Sequence, residues 1–376
     1  MADHSPPRIL LLAPRLGGGG AQRVVEVLAR RLPAGSYDLH LALMAGFSAG
    51  RTPESYAFPA HLCLYAFREK RVRAAAWKLL RLIRRLRPDL IFSSIYHLNF
   101  LILLLRPLLP SSTRIVVRQN GTVSSALAAL RHPACTAFLY RWLYPRACRI
   151  VCQSQAMAED LARQINVQTD RLTVLPNPLE TPNLPAPPAS VLERWDTPGP
   201  RLLAVGRLAP EKGYDLLLQA LSAVRLRFPT VSLALAGAGE EECTLRLLTR
   251  RLGLEHCVRF LGAVEEPSAF FAAADLFVLS SRHEGLPNAL LEAAAAGLPL
   301  VSTPASGGIV DLLSGQPGCW ISEDISAPAL AAALQTALHA LPPGQRFPHP
   351  FVEEFRIERA LPLWNAFFAS VLYQKR

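Results

Sequence analysis

Ser281-Arg282-His283-Glu284-Gly285-Leu286-Pro287-Asn288-Ala289-Leu290-Leu291-Glu292 sets two carboxylates eight residues apart. The apolar run at 276–279 in front of it has the length and composition of a buried strand. Residues 289–296 behind it are strong helix formers. Pro287 and Asn288 suit a helix start, with Asn288 read as the N-cap. Glu284 then falls in a strand-to-helix loop and Glu292 about two turns inside the helix. Such a junction aims amide donors at the carboxyl edge of a sheet, where open α/β sheets bind ligands. Taken alone, the pattern fits a capped helix with two surface carboxylates equally well; the neighbouring segments decide.

Working outward, strand-like runs recur at 202–205, 231–236, 258–261, 276–279 and 300–302, with helical patterns between them. This alternation predicts a parallel, doubly wound sheet. Loops at the same edge follow these strands. Gly206-Arg207-Leu208-Ala209-Pro210-Glu211-Lys212-Gly213 offers a planar guanidinium fork at Arg207 and a mobile point charge at Lys212, which together suit a diphosphate. Gly237-Ala238-Gly239-Glu240 permits close backbone approach. Gly262-Ala263-Val264 and Ala305-Ser306-Gly307-Gly308 complete the set.

Upstream, the eight prolines between 176 and 200 mark a linker. Before it the alternation is the same. A strand at 8–13 leads into Gly17-Gly18-Gly19-Gly20 and a helix at 21–32, a glycine loop at a helix N-terminus. Arg23 stands where a G-x-G-x-x-G fingerprint needs its third glycine. The strand at 114–117 delivers Arg118-Gln119-Asn120 to the edge. Residues 68–87 read as one basic amphipathic helix, with nine Lys/Arg against Glu69 and with Trp77. Its two readings carry equal weight, an outer helix with a solvated face or a helix lying on an anionic membrane surface. A second patch at 132–149 mixes arginine with Phe138, Tyr140, Trp142 and Tyr144.

With 51% hydrophobic and 18% charged residues, 376 residues suffice for two domains. The expected boundaries are 1–180, 181–350 and a C-terminal segment 351–376. The charge is lopsided: residues 1–180 carry 24 Lys/Arg and 10 Asp/Glu, while 181–376 carry 16 and 19. The basic half is expected to face an anionic partner. No nucleic-acid module is visible, so nucleic acid is not expected. Seven cysteines without a C-x-x-C pair point to reduced thiols in the cytoplasm. No signal peptide is apparent, and the greasiest stretch, 98–105, is too short to span a bilayer.

The ordered set of Gly206-Arg207, Lys212-Gly213, Ala236-Gly237-Ala238-Gly239, Glu284 through Glu292 and Ala296-Gly297-Leu298-Pro299 resembles the donor half of family-4 retaining glycosyltransferases of the GT-B fold. Asn177-Pro178 and the Gly17 to Arg23 loop fit the branch that builds polysaccharides and lipid-linked glycans. The resemblance implies two Rossmann-like doubly wound domains facing across a cleft, with the C-terminal segment crossing back to the first. It implies transfer of a hexose or N-acetylhexosamine from a nucleotide-sugar donor, commonly UDP-linked, to a glycan or polyprenyl-linked acceptor. Arg207 and Lys212 would hold the diphosphate and Glu292 the ribose, while Glu284 would contact the sugar. Gly17 to Gly20 would close on the diphosphate from the first domain, and Val264 would flank the base. Gly206, Gly239, Gly285, Leu286, Pro287, Asn288, Arg118 and Asn120 complete the expected site. Many relatives carry histidine where this chain has Arg118-Gln119-Asn120. No Asp-x-Asp is present, so neither a metal nor another cofactor is expected. The alternatives are a nucleotide-sugar epimerase, a non-catalytic nucleotide-sugar-binding subunit and a peripheral membrane scaffold.

Overall fold

Every strand of a parallel sheet covered on both faces must present apolar side chains in both directions, and β1 (Arg8–Ala13) does so. Ile9, Leu11 and Ala13 enter one core, Leu10 and Leu12 another, all fully buried. In the computed structural model β1 pairs in parallel with β2 (Asp38–Leu43), in the register Ile9↔Leu39, and with β4 (Leu90–Ser94), in the register Ile9↔Leu90. Adding β3 (Cys63–Ala66), β5 (Arg114–Arg118), β6 (Arg149–Cys152) and β7 (Leu172–Val174) gives a seven-stranded sheet of order β3-β2-β1-β4-β5-β6-β7. The structure describes all residues except 1–4, 18, 48–51, 68, 70–71, 129–132, 166, 182–183, 185, 194, 196–198, 265, 343 and 374–376, and not the side chains of Val72 and Arg73.

The chain forms two compact units, Met1–Pro178 with Ile357–Arg376, and Leu179–Arg356. In the first unit, helices Ala76–Leu86, Tyr96–Leu105, Pro133–Leu143 and Gln155–Ile165 cover one face of the sheet. Helices Gly20–Arg31 and Ile357–Tyr373 cover the other. The last of these inserts Trp364 and Phe368, fully buried, against Phe92 of β4, edge-on at 5.5 and 5.7 Å. Each such side chain contributes about 1.5–3 kcal/mol of burial.

The second unit repeats the plan with β8 (Arg201–Val205), β9 (Ser232–Ala236), β10 (Val258–Gly262), β11 (Leu276–Leu279), β12 (Leu300–Ser302) and β13 (Cys319–Ile321), in the order β10-β9-β8-β11-β12-β13. The short, half-buried edge strand β13 gave no signal in the sequence.

Two expectations change. The helix read at 68–87 spans only Ala76–Leu86, after a 3₁₀ turn at Val72–Ala75. The main-chain amides of Phe67 and Glu69 donate to Leu43 and Met44 at 2.9 and 2.8 Å, which keeps the chain extended beyond β3. Arg68, Lys70 and Arg71 lie outside the described residues. The second change is at residue 287. Pro287, with φ −74° and ψ 129°, is the N-cap of the helix Asn288–Ala295, and Asn288 is its first helical residue. The proline ring pre-sets the extended backbone that a cap requires. Among the described residues no helix is long and apolar enough to cross a membrane.

Candidate active site

In the second sheet, strand order reverses between β8 and β11: β9 and β10 lie beyond β8, and β12 and β13 beyond β11. Loops leaving the carboxyl ends of β8 and β11 therefore diverge to opposite faces and open a crevice, the usual ligand position in such sheets. Lys212 comes from the first loop and Glu284 from the second. Their side chains meet there, Nζ to Oε1 at 2.5 Å, with 21% and 12% exposure. The Ser281 hydroxyl also donates to Glu284 Oε1, at 2.7 Å.

Backbone contacts fix this pair. Gly213, at φ +61°, sits so close to Ser280 that a Cβ would lie 2.1 Å from its carbonyl oxygen. The Ser280 hydroxyl donates to the Lys212 carbonyl at 2.9 Å. Arg282 grips the carboxylate of Asp215 with both Nη atoms, at 2.7 and 2.6 Å, and its Nη1 reaches the Pro210 carbonyl at 2.9 Å. Burial pushes the Asp215 carboxyl up most strongly, but the hydrogen bonds and charge of Arg282, together with backbone amides, outweigh it and hold the group below its ordinary value. Tyr214 stands behind the pair. Burial, then the Glu284 carboxylate, raise its phenol well above the usual range, so it remains a neutral hydroxyl.

Arg207 lies exposed at the mouth of the β8 loop, paired with Glu211 one turn on. Gly206 faces Tyr214 and the Lys212 stem. The glycines after β9 work differently from the expectation of close approach to a ligand. A Cβ on Gly237 would lie 1.8 Å from the Gly206 carbonyl oxygen, and one on Gly239 would lie 2.2 Å from that of Leu208. Their close approach is to the neighbouring loop, which they brace from below. Ser306 ties the β12 loop to this edge, donating to the Gly285 carbonyl at 2.7 Å while capping Gly307–Leu313.

Asn288 and Glu292 are half-buried and four residues apart, on one face of their helix. Gly285 and Pro287 are buried, and the Leu286 side chain belongs to the core. Val264 is half-buried against that core. Thus Lys212 and Glu284 are in contact and Gly206 lies beside the Lys212 stem, Arg207 opens from the same loop, and Leu286 contributes packing.

At the carboxyl edge of the first unit, Gly17 and Gly19 have φ +77° and +146°, and Gly19 caps the helix that begins at Gly20. Gly18 lies outside the described residues. Arg118 is fully buried at the end of β5. Its guanidinium donates to Ser94 at 3.3 Å, to Asn177 Oδ1 at 2.6 Å and to Asn120 Oδ1. No carboxylate pairs with it among the described residues, and burial drags it down to about 9. Arg118 thus holds Asn120 and Asn177 in place, while Asn120 keeps partial exposure. Beside it Ile95, a β-branched residue at φ +109°, links β4 to its helix in a strained conformation. The sequence reading missed Ser94 and Asn99 here, and it set Tyr144, which is fully buried, in the aromatic patch at 132–149. The one clue was a lone polar residue, Asn99, in an otherwise apolar helical run; its amide donates to the Arg118 carbonyl at 3.0 Å and to the Tyr144 hydroxyl at 3.2 Å.

Comparison with known proteins bears on this arrangement. Residues 18–182 match the family model described as Glycosyltransferase Family 4, and residues 199–340 that of Glycosyl transferases group 1. The chain belongs to the family-4 glycosyltransferases. This glycosyltransferase is 41% identical over 116 residues to the lipopolysaccharide core biosynthesis glycosyltransferase LpsE of Rhizobium meliloti, which covers 30% of this chain and 33% of that protein. It is 27% identical over 304 residues, 79% of this chain and 80% of the other, to the N-acetylgalactosamine-N,N'-diacetylbacillosaminyl-diphospho-undecaprenol 4-alpha-N-acetylgalactosaminyltransferase of Campylobacter jejuni. The crystal structure of Anabaena HepE in complex with UDP and glucose superposes with TM-score 0.77 at 19% identity, over 97% of this chain and all of that one. The glycosyltransferase therefore has the GT-B fold.

Proposed function

We propose that this glycosyltransferase moves a hexose or N-acetylhexosamine from a UDP sugar to a hydroxyl of a membrane-associated glycan or lipid-linked acceptor. Anomeric configuration is retained and no metal takes part. The observation that carries the reading is the Lys212–Glu284 pair at the switch point of the second sheet, with Arg207 beside it. When the anomeric carbon leaves the diphosphate, negative charge grows on the phosphate oxygens. Fixed cations beside those oxygens stabilise the transition state more than the ground state.

In this reading Lys212 and Arg207 hold the diphosphate. Glu284, oriented by Ser281, accepts from the sugar's hydroxyls, and Asn288 and Glu292 lie on the helix face that takes the ribose. The bond from the anomeric carbon to the diphosphate breaks as the bond to the acceptor oxygen forms, on the same face. The acceptor's proton passes to the departing phosphate oxygen. The donor assignment draws support from HepE, solved with UDP and glucose, and the lipid-linked acceptor from the name of the Campylobacter jejuni enzyme. The basic outer face of the Ala76–Leu86 helix, with Arg81, Arg84, Arg85 and exposed Trp77, supports a peripheral position on an anionic cytoplasmic membrane surface.

A thermal-shift screen of nucleotide sugars, followed by a transfer assay in chelator, tests the reading. UDP sugars should raise the melting temperature, as any ligand of the native state does, and transfer should persist in chelator. Conversion of the donor without an acceptor would instead indicate an epimerase.

A further inference from the structure

The chain segments entering β5, β6 and β7 enclose a pocket of about 420 Å³ at the amino edge of the first sheet, the edge opposite Arg118 and Asn120. Arg106, Arg114, Arg146, Arg149 and Arg171 line it, all half-buried, and Asp170 is the one carboxylate among the described lining residues. Some arginine is expected here. The covering helices of a parallel sheet end at this edge, and cations satisfy their last carbonyls. Such bonds exist. Arg106 donates to the Pro110 and Ser111 carbonyls at 3.0 and 3.2 Å, Arg149 to that of Cys148 at 3.1 Å and Arg171 to that of Pro145 at 2.6 Å. A neutral carbonyl fixes the plane of a guanidinium without cancelling its charge, and each fork carries five N–H donors.

Two features go beyond capping. The volume lies in the ~300–1,000 Å³ range of ligand pockets. The rim, moreover, is greasy. Arg146 lies 4.1 Å over the ring of Trp142, which is 46% exposed and stacks on Phe138, 64% exposed. Leu108, half-exposed, stands two residues from Arg106, and its carbonyl accepts from Arg84 of the basic helix at 3.4 Å. Guanidinium groups recessed beside outward-facing aromatic and aliphatic side chains match a surface that is anionic at the phosphate level and apolar just beneath it.

We propose that this amino-edge pocket is a phosphate site, filled by the headgroup of an anionic phospholipid while Trp142, Phe138 and Leu108 enter the headgroup–acyl boundary. The site needs neither the sugar donor nor Lys212, so it stands or falls apart from the transfer reaction.

The test uses the full chain and vesicles of phosphatidylcholine, with or without an equal part of phosphatidylglycerol. The wild type should float with the anionic vesicles at low salt. Arg146→Gln with Arg171→Gln should partition about thirtyfold more weakly, from about fivefold per charge removed. Arg227→Gln with Arg251→Gln, an equal loss of charge on exposed positions of the second unit, should bind as wild type. Equal weakening by both pairs, or full binding by the first, would overturn the proposal.

A second measurement needs no variant. Cys148 lines the pocket, and exposed Cys243 serves as internal reference. Inorganic pyrophosphate and anionic vesicles should each slow maleimide labelling of Cys148 several-fold relative to Cys243, while chloride at equal ionic strength should not. Protection by pyrophosphate but not by vesicles would make the site one for soluble phosphate and overturn the lipid. Protection by neither would leave the arginines as carbonyl caps.

Discussion

The two carboxyl edges of this glycosyltransferase treat their cations in opposite ways. In the first unit Arg118 is sealed from solvent among neutral oxygens of Ser94, Asn120 and Asn177. In the second, Lys212 and Arg207 keep some exposure and pair with the carboxylates of Glu284 and Glu211. A buried guanidinium held by amides has nowhere to go, because moving it would strand a charge and several polar groups at once. Arg207 sits in an exposed ion pair that is held weakly in net terms, and Lys212, though largely buried, keeps 21% exposure, so a diphosphate can join or replace the partner carboxylate. One strand order thus supports a rigid frame in one unit and an exchangeable charge in the other.

The largest effect is expected where the charge is exchangeable. Lys212→Ala should lower turnover by roughly 10²–10³-fold, the cost of losing a donor aimed at growing charge. Near-normal transfer would remove Lys212 from the reaction and erase the contrast. Next is the loop that aims it. Gly213→Ala forces a Cβ against the Ser280 carbonyl at positive φ and should cost about 1–3 kcal/mol, read by chemical denaturation.

The fixed cation makes a pH-dependent prediction. The folded state holds the Arg118 proton less tightly than the unfolded chain, its value having fallen from the ordinary guanidinium range to about 9. Below pH 9 both states are charged and the burial penalty is complete. As the pH rises from about 9 toward the ordinary guanidinium range the unfolded chain binds more protons, so stability rises. Relative to Arg118→Met, the wild type should gain roughly 1 kcal/mol per pH unit in that window. A flat difference would mean that an anion, not burial, sets the state of Arg118. The smallest effect concerns the Arg282–Asp215 clamp, which is about a third exposed. Asp215→Asn should cost under about 1 kcal/mol. Because the folded carboxyl titrates below 3.8, this contribution is present above that pH and lost as the pH falls through the lower folded value.

Much of this contrast was legible in the sequence on one side and hidden on the other. Strands buried on both faces announce themselves as apolar runs, and the residues read at 8–13 and 276–279 form β1 and β11 without change. Lys212 and Glu284 were legible because each stands in a polar loop just after such a run. Their contact was not, since it depends on which two strands sit side by side. The role of Arg118 was also hidden: a basic residue ending a strand looks ligand-facing until Asn177, 59 residues later, closes over it. The glycines after β9 misled for a related reason. Sequence shows that backbone comes close but not what it approaches, and here it approaches Gly206 and Leu208.

The helix Ile357–Tyr373 has a consequence for synthesis. The sheet of the first unit is complete by β7, yet its core lacks Trp364, whose indole donates to the Pro176 carbonyl at 2.8 Å. Those aromatics leave the ribosome only after the whole intervening unit has emerged. At about 5–20 residues per second the nascent sheet waits roughly 10–40 s with one face covered only by the helix Gly20–Arg31. The middle of the polypeptide can therefore mature before its beginning, and a stop codon just ahead of this tail would release an N-terminal unit open to chaperone capture, although every strand in it is intact.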